Sequence, residues 1–230
     1  MSSESLIDFT NHINSLILSE FPSSNIDSNM EYLPLQNSFE KAIFSWTKIK
    51  SEIKVKYWKD YYKDYPNKFN SDHMALFLYR LAREEAQAGR IESADRIAYL
   101  NKIRNGLDVW HTVALPVKTL FVHPLGTILG RAKYGSSLVC YQNVTVGDSK
   151  GNYPEFLGSC LLYSNVSVLG KSKIGSNVVI GAGALVIDKA IPNNSIVYGH
   201  GKDLTIKPNP TDLFDDYFHL PFEKFLGVKI

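Results

Sequence analysis

Few side chains in this sequence could do chemistry by themselves. Among its six histidines, His123 is the one that falls within the regular second half, with His111 before that stretch and His200 after it. An imidazole titrates near pH 6.5, so it can take and return a proton at neutral pH as a general base. A surface histidine without a role is the competing reading, and residue type alone does not separate the two. The two cysteines, Cys140 and Cys160, have no metal-ligand spacing, and both fall on rows of packing residues. Lys171, Lys173, Lys202 and Lys207 could meet phosphates or simply be solvated. The aromatic run Tyr57–Tyr65 reads as the packing face of an amphipathic helix, with a ligand cage as the alternative.

The elements that must hold these groups follow two different patterns. From about residue 120 onward a period of six dominates: Val122, Ile128, Tyr134, Cys140 and Val146, then a ten-residue step, then Phe156, Leu162, Val168, Ile174, Ile180 and Val186. At 44% hydrophobic composition, such an unbroken row arises by chance about once in ten thousand, before allowance for choice of phase. Two positions before each member, small or apolar residues recur: Gly126, Ala132, Leu138, Val144, Pro154, Cys160, Val166, Ser172, Val178 and Ala184. Six-residue repeats of this kind mark a parallel β-helix in which three hexads form one triangular coil. The aliphatic side chain points inward, the small residue fits near the corner, and glycines at Gly135, Gly147, Gly175 and Gly181 supply turn conformations. The ten-residue step is expected to project as a loop over Asp148–Glu155.

Residues 1 to about 107 have helical spacing instead. Asp72–Arg104 places Met74, Leu78 and Leu81, then Ile91, Ile97, Leu100 and Ile103, three to four apart, with a break at Gly89-Arg90. Leu6–Leu18 and Ser38–Ile49 are shorter helical candidates, separated by a polar loop over 23–29. The tail beyond 203 leaves the hexads at Pro208 and Pro210, and its aromatic Asp215–Phe222 stretch is expected to pack on a neighbour. The net charge of +2 gives no reason to expect nucleic acid or an anionic membrane as partner. No apolar run is long enough to span a bilayer, and the N-terminus lacks a secretory pattern, so a reducing, cytoplasmic setting is expected.

Three segments carry a family resemblance. His123-Pro-Leu-Gly-Thr-Ile-Leu-Gly-Arg-Ala, Cys140-Tyr-Gln-Asn-Val-Thr-Val-Gly and Ile180-Gly-Ala-Gly-Ala-Leu-Val resemble the hexapeptide-repeat acyltransferases, within them the serine acetyltransferase branch. Asp72-His-Met-Ala-Leu-Phe-Leu-Tyr-Arg resembles a helix of that family's N-terminal domain. The likeness covers about 70 to 200. It implies an α+β chain: an α-helical domain over 1–107, a left-handed parallel β-helix with hexapeptide repeats over 108–202, and a C-terminal tail over 203–230.

The resemblance also implies roles. His123 becomes the base that takes a hydroxyl proton during acetyl transfer from acetyl-CoA, with no metal. In the family an aspartate fifteen residues upstream orients that histidine, and Asp108 stands at this interval, with a helix-end residue after Asn105-Gly106 as the alternative. Backbone groups at Ser164 and Ala182, together with Gly147, match positions that hold the acyl donor. Partners implied are two further copies in a homotrimer with active sites between subunits, or a dimer of such trimers. The loop departs from the family: Asn152-Tyr153-Pro154 stands where serine acetyltransferases have Arg-His-Pro, and the helical half has no Arg-Asp-Pro segment. Asn152 and Tyr153 therefore suggest a sugar acceptor, as in the making of a surface polysaccharide (capsule or O-antigen). Serine O-acetylation in cysteine biosynthesis is the alternative, and Ile230 is where that family can dock its partner enzyme. A non-catalytic β-helix scaffold and N-acetylation of an amino sugar stay open. A γ-type carbonic anhydrase would need more histidines within the coils.

Overall fold

A computed structural model describes residues 3–22, 33–61, 63–212 and 216–218. The polar stretch 23–29 and Ile230 lie outside the described residues. The helical half contains α1 (Ser3–Glu20), α2 (Gln36–Glu52), the single turn α3 (Lys56–Lys59), α4 (Ser71–Gln87) and α5 (Ile91–Asn105). The expected helices and the break at Gly89-Arg90 are all present. Asn70 caps α4 by accepting from the N–H groups of Asp72 (2.9 Å) and His73 (3.3 Å), and Gly106 ends α5 with φ 66°. α4 packs on α2, α5 and the first long strand, and its apolar face is buried from Met74 to Ala82.

The aromatic run differs from expectation. Only Lys56–Lys59 is helical, because the chain then turns to bring Trp58 and Tyr61 against Trp46 and His73, with ring centroids 4.2–6.3 Å apart. This is core packing, not a ligand cage.

The second half is a parallel β-helix. One face is the five-stranded sheet β1 (Leu107–Asp108), β3 (Thr127–Leu129), β5 (Thr145–Gly147), β8 (Ser167–Leu169) and β11 (Leu185–Ile187). The second face runs β2 (Lys118–Phe121), β4 (Ser137–Cys140), β7 (Cys160–Leu162), β10 (Val178–Ile180), β13 (Ser195–Tyr198), ending in β14 (Thr205–Pro208). The third is β6 (Glu155–Phe156), β9 (Lys173–Ile174) and β12 (Ala190–Ile191). All neighbours are parallel except β14, which turns back antiparallel on β13.

The interior rows follow from register. Cys140, Leu162 and Ile180 align on the second face, and Val146, Val168 and Val186 on the first; all are fully buried. In the first coil the phase read from the sequence is wrong by one. Phe121, not Val122, aligns with Cys140, and Leu129, not Ile128, aligns with Val146; Ile128 is 46% exposed. The small position there is the buried Thr127 rather than Gly126. The cause is a longer corner. Phe121 to Ile128 takes seven steps, whereas Cys140 to Thr145 and Leu162 to Ser167 take five.

One continuous core runs from the helices into the prism. The tail joins it: Phe218 is buried and bridges Ile53, and Tyr217 accepts from the Lys54 N–H at 2.8 Å. The neighbour on which the tail packs is thus this chain's own α2–α3 connection.

Two outcomes are expected. Burial pushes both free thiols well up, so a disulfide reagent at pH 8 should label neither cysteine until the protein is denatured. His73 is buried, and burial together with nearby Lys50 lowers its imidazole to about 4. Between pH 6.5 and 4 the unfolded chain therefore binds more protons, and stability present above pH 6.5 is lost as pH falls. Urea unfolding should show a loss of about 3 kcal/mol across that window, beyond that of His73→Gln.

Candidate active site

The site is built at the corner that joins the second face to the first. Phe121, Cys140, Leu162 and Ile180 stand in register, and the ladder beyond them stacks Leu125, Gln142, Ser164 and Ala182 in a column along one edge of the prism, with His123 among the two extra residues of the first corner. Stacked hydrogen bonds fix the edge: Asn143 N–H to Leu125 O (3.0 Å), Asn165 N–H to Gln142 O (3.1 Å) and Gly183 N–H to Ser164 O (2.9 Å). The turns use left-handed backbone at Asn143 (φ 55°), Asn165 (φ 60°) and Gly183 (φ 75°). A Cβ added to Gly183 would meet nothing within 4 Å, so the edge is open at that coil.

His123 stands in the longer corner at the head of this edge. It is exposed, has φ 51°, and its ring makes no hydrogen bond to any described residue. Its backbone N–H donates to Asp72 Oδ1 at 2.8 Å, and the other carboxylate oxygen accepts from the Tyr57 hydroxyl at 2.6 Å. Neither Asp72 nor Tyr57 was singled out as a site residue in the sequence. The one local signal was an Asp opening a capped helix, which is common and carries no information about a partner 51 positions away.

Asp108 is the second residue of β1, beside Ile128 on the first face. It therefore lies past the end of α5, but it is not joined to His123 by a hydrogen bond. Its Oδ2 instead meets Lys102 Nζ of the last turn of α5 at 2.7 Å. Asp108, Trp110, Ile128 and Arg131 line a concavity of about 190 Å³ on this face.

The loop lies at the next corner, between the first face and the third. The step from Thr145 to Ser167 is 22 residues, against 18 from Ser167 to Leu185, so four extra residues leave the coil as a hairpin. Ser149 and Asn152 exchange N–H···O bonds of 3.0 and 3.1 Å, and Lys150 (φ 53°) and Gly151 (φ 76°) make the paired positive-φ turn. Asn152 Nδ2 donates back to Ser149 O (3.2 Å) and Lys150 O (3.0 Å), so this amide braces the hairpin. Tyr153 is 43% exposed beside it. Gly147 precedes the loop, and a Cβ there would make only an ordinary 3.5 Å contact with Leu169. Within one prism, Asn152 and Tyr153 are separated from His123 by the width of the first face.

Gln142 is the further residue that sequence reading passed over. It stacks between Leu125 and Ser164 in the column, one coil from the His123 corner, and its Oε1 is buried with no partner among the described residues. Of the four lysines, Lys207 lies over the Tyr198 ring at 5.3 Å and hydrogen-bonds its hydroxyl, which raises its pKa; Lys171, Lys173 and Lys202 are exposed.

Asn152→Ala is expected to raise amide exchange across 148–153 while leaving the global unfolding midpoint within about 2 °C, because the brace is local.

No family model matches the chain. It is 28% identical over 135 residues to a protein named putative serine acetyltransferase from Schizosaccharomyces pombe, covering 56% of this chain and 50% of that one. It is 29% identical over 131 residues to a Staphylococcus aureus serine acetyltransferase, covering 54% and 61%. The chain thus spans about half to three fifths of the length of these curated relatives. In structure it matches the Neisseria gonorrhoeae serine acetyltransferase with a TM-score of 0.64 at 22% identity, covering 89% of this chain and 78% of that one. A serine acetyltransferase solved in complex with CoA matches with a TM-score of 0.59 at 16% identity, covering 75% and 71%. The resemblance carried by the three motif segments is borne out: this chain is similar in sequence to curated serine acetyltransferases and has the fold of the solved ones.

Proposed function

We propose that the chain transfers an acetyl group from acetyl-CoA to a hydroxyl, with His123 as the base. The observation that carries this is an exposed imidazole that makes no hydrogen bond to any described residue, in the longer corner beside an edge that includes Ser164 and Ala182, on a fold that serine acetyltransferases share. His123 accepts the acceptor's hydroxyl proton as its oxygen bonds to the thioester carbonyl carbon. The C–S bond then breaks, and the thiolate leaves with that proton. The Gln142 carboxamide, one coil along, is placed to donate to the developing oxyanion. Ser164 and Ala182 offer backbone groups along the same edge for the donor's amide arm, and Gly147 leaves room at the far side.

In this reading the protein is a homotrimer. The loop and His123 occupy different corners of one prism, so a second copy is what brings Asn152 and Tyr153 over the base. Asp108 orients His123 once Lys102 yields its carboxylate. A cytoplasmic setting suits the two buried free thiols.

Serine is the acceptor that the relatives' names favour, and one structural neighbour is a serine acetyltransferase in complex with serine. A sugar hydroxyl of a surface polysaccharide is the second reading. Its support is the loop itself, which presents exposed Tyr153, carries its cation, Lys150, at the hairpin tip, and has the bracing amide of Asn152 where a cation for an α-carboxylate would be needed.

Thiol release from acetyl-CoA, assayed with L-serine and then with sugar and nucleotide-sugar acceptors, decides between them. Release with serine supports the first reading and release only with a glycan the second. In either case His123→Ala should lower kcat by about 10²- to 10⁴-fold. A protein that neither binds acetyl-CoA nor releases thiol would be a scaffold.

A further inference from the structure

The geometry points to Asp72 as a positioning residue for His123; this rests on the acyl-transfer reading above. The corner at His123 is two residues longer than the corners stacked on it, as the register of Phe121 and Ile128 against Cys140 and Thr145 requires. It thus has slack that its neighbours lack. It is also the departure from the rule used elsewhere in the coils. Lys150 at the hairpin tip apart, the other described non-glycine corners with left-handed backbone carry Asn143, Asn165, Asn177, Asp188 or Asn194. Those short polar side chains tolerate this conformation, and a histidine in it needs outside support.

That support comes from the helical half. Asp72 lies in the first turn of α4, is 2% exposed, and aims one oxygen at the His123 N–H at 2.8 Å. Tyr57 donates to the other oxygen at 2.6 Å. The helix N-terminus and two donors satisfy a carboxylate that burial would otherwise disfavour. The α4 helix is held against β2 by its own apolar face, so the carboxylate is a fixed point against which the long corner is drawn. Asp72 touches no reacting atom. It sets where the Cα of His123 stands, and hence where the ring can reach. The donor edge along Gln142, Ser164 and Ala182 is held by its own ladder and does not depend on it.

The test compares the full chain with Asp72→Ala, Asp72→Asn, His123→Ala and the Asp72→Ala/His123→Ala pair. Thiol release is read together with hydrogen exchange at the His123 amide by mass spectrometry. Asp72→Ala should lower kcat by about 10- to 100-fold with KM for acetyl-CoA unchanged, the cost of a misplaced reacting group. Asp72→Asn keeps an oxygen acceptor in place and should recover most of that loss even if the alanine variant folds poorly. In the His123→Ala background, Asp72→Ala should cost nothing more. Equal losses in both backgrounds, or full kcat in Asp72→Ala, would overturn the assignment. The exchange readout does not need activity: faster exchange at His123 in Asp72→Ala but not in Asp72→Asn supports it, and unchanged exchange overturns it. Protection by Asp72 in a protein that is inactive in every form would sink the acyl-transfer reading alone and leave the placement of His123 standing.

Discussion

Within the prism, each coil's strands hydrogen-bond to the coils directly above and below, and that stacking governs everything else in the second half. Parallel strands stay paired only if every coil returns to the same three faces after the same path. A residue added to one coil cannot be absorbed by sliding, because a one-position slip would turn an inward side chain outward. Extra residues must therefore leave at a corner. This happens twice among the well-paired coils: two residues at the His123 corner and four in the Asp148–Pro154 hairpin. Both departures from the repeat carry the polar groups with which chemistry can be done. The regular corners between them supply short side chains and backbone, with Gln142 as a longer polar group beside the His123 corner.

The helical half is more than an appendage to this scaffold. Its core is continuous with the prism, and its capped α4 presents a buried carboxylate to the first long corner. Tyr57, which completes that carboxylate's partners, sits in the short segment where the tail also returns, through Lys54 and Tyr217. Tyr217 in turn reaches Tyr141 on the prism at 3.3 Å. Three stretches far apart in sequence thus meet around the base of the His123 corner. Such sites are firm because the supporting groups are themselves locked by burial and hydrogen bonds.

Fold likeness and site likeness separate here. The fold extends over most of the solved serine acetyltransferases, whereas the sequence likeness spans about half to three fifths of the curated ones. Backbone amides and small corners are what the repeat itself makes, so a shared prism carries them with it. Loop side chains are not constrained by the repeat, and the surface of a hairpin braced by Asn152 with Lys150 at its tip is set by its own residues.

The helical and hexad halves, the inward rows from Tyr134 onward, the location of the extra loop and the packing role of Cys140 and Cys160 are all written in the amino-acid pattern. These are legible because period and side-chain size are local properties that backbone geometry converts directly into faces and corners. Only the tertiary structure decided the phase of the first coil, where Phe121 and Leu129 replace Val122 and Ile128, because corner length is set by what supports the corner. It alone showed Asp108 held by Lys102, the Tyr57–Tyr65 run folded into the Trp46 core, and Asp72 joined to His123. Each of these is a contact between segments whose separation along the chain leaves no periodic trace. Burial and hydrogen-bond partnership become definite only when the helices have packed on the prism.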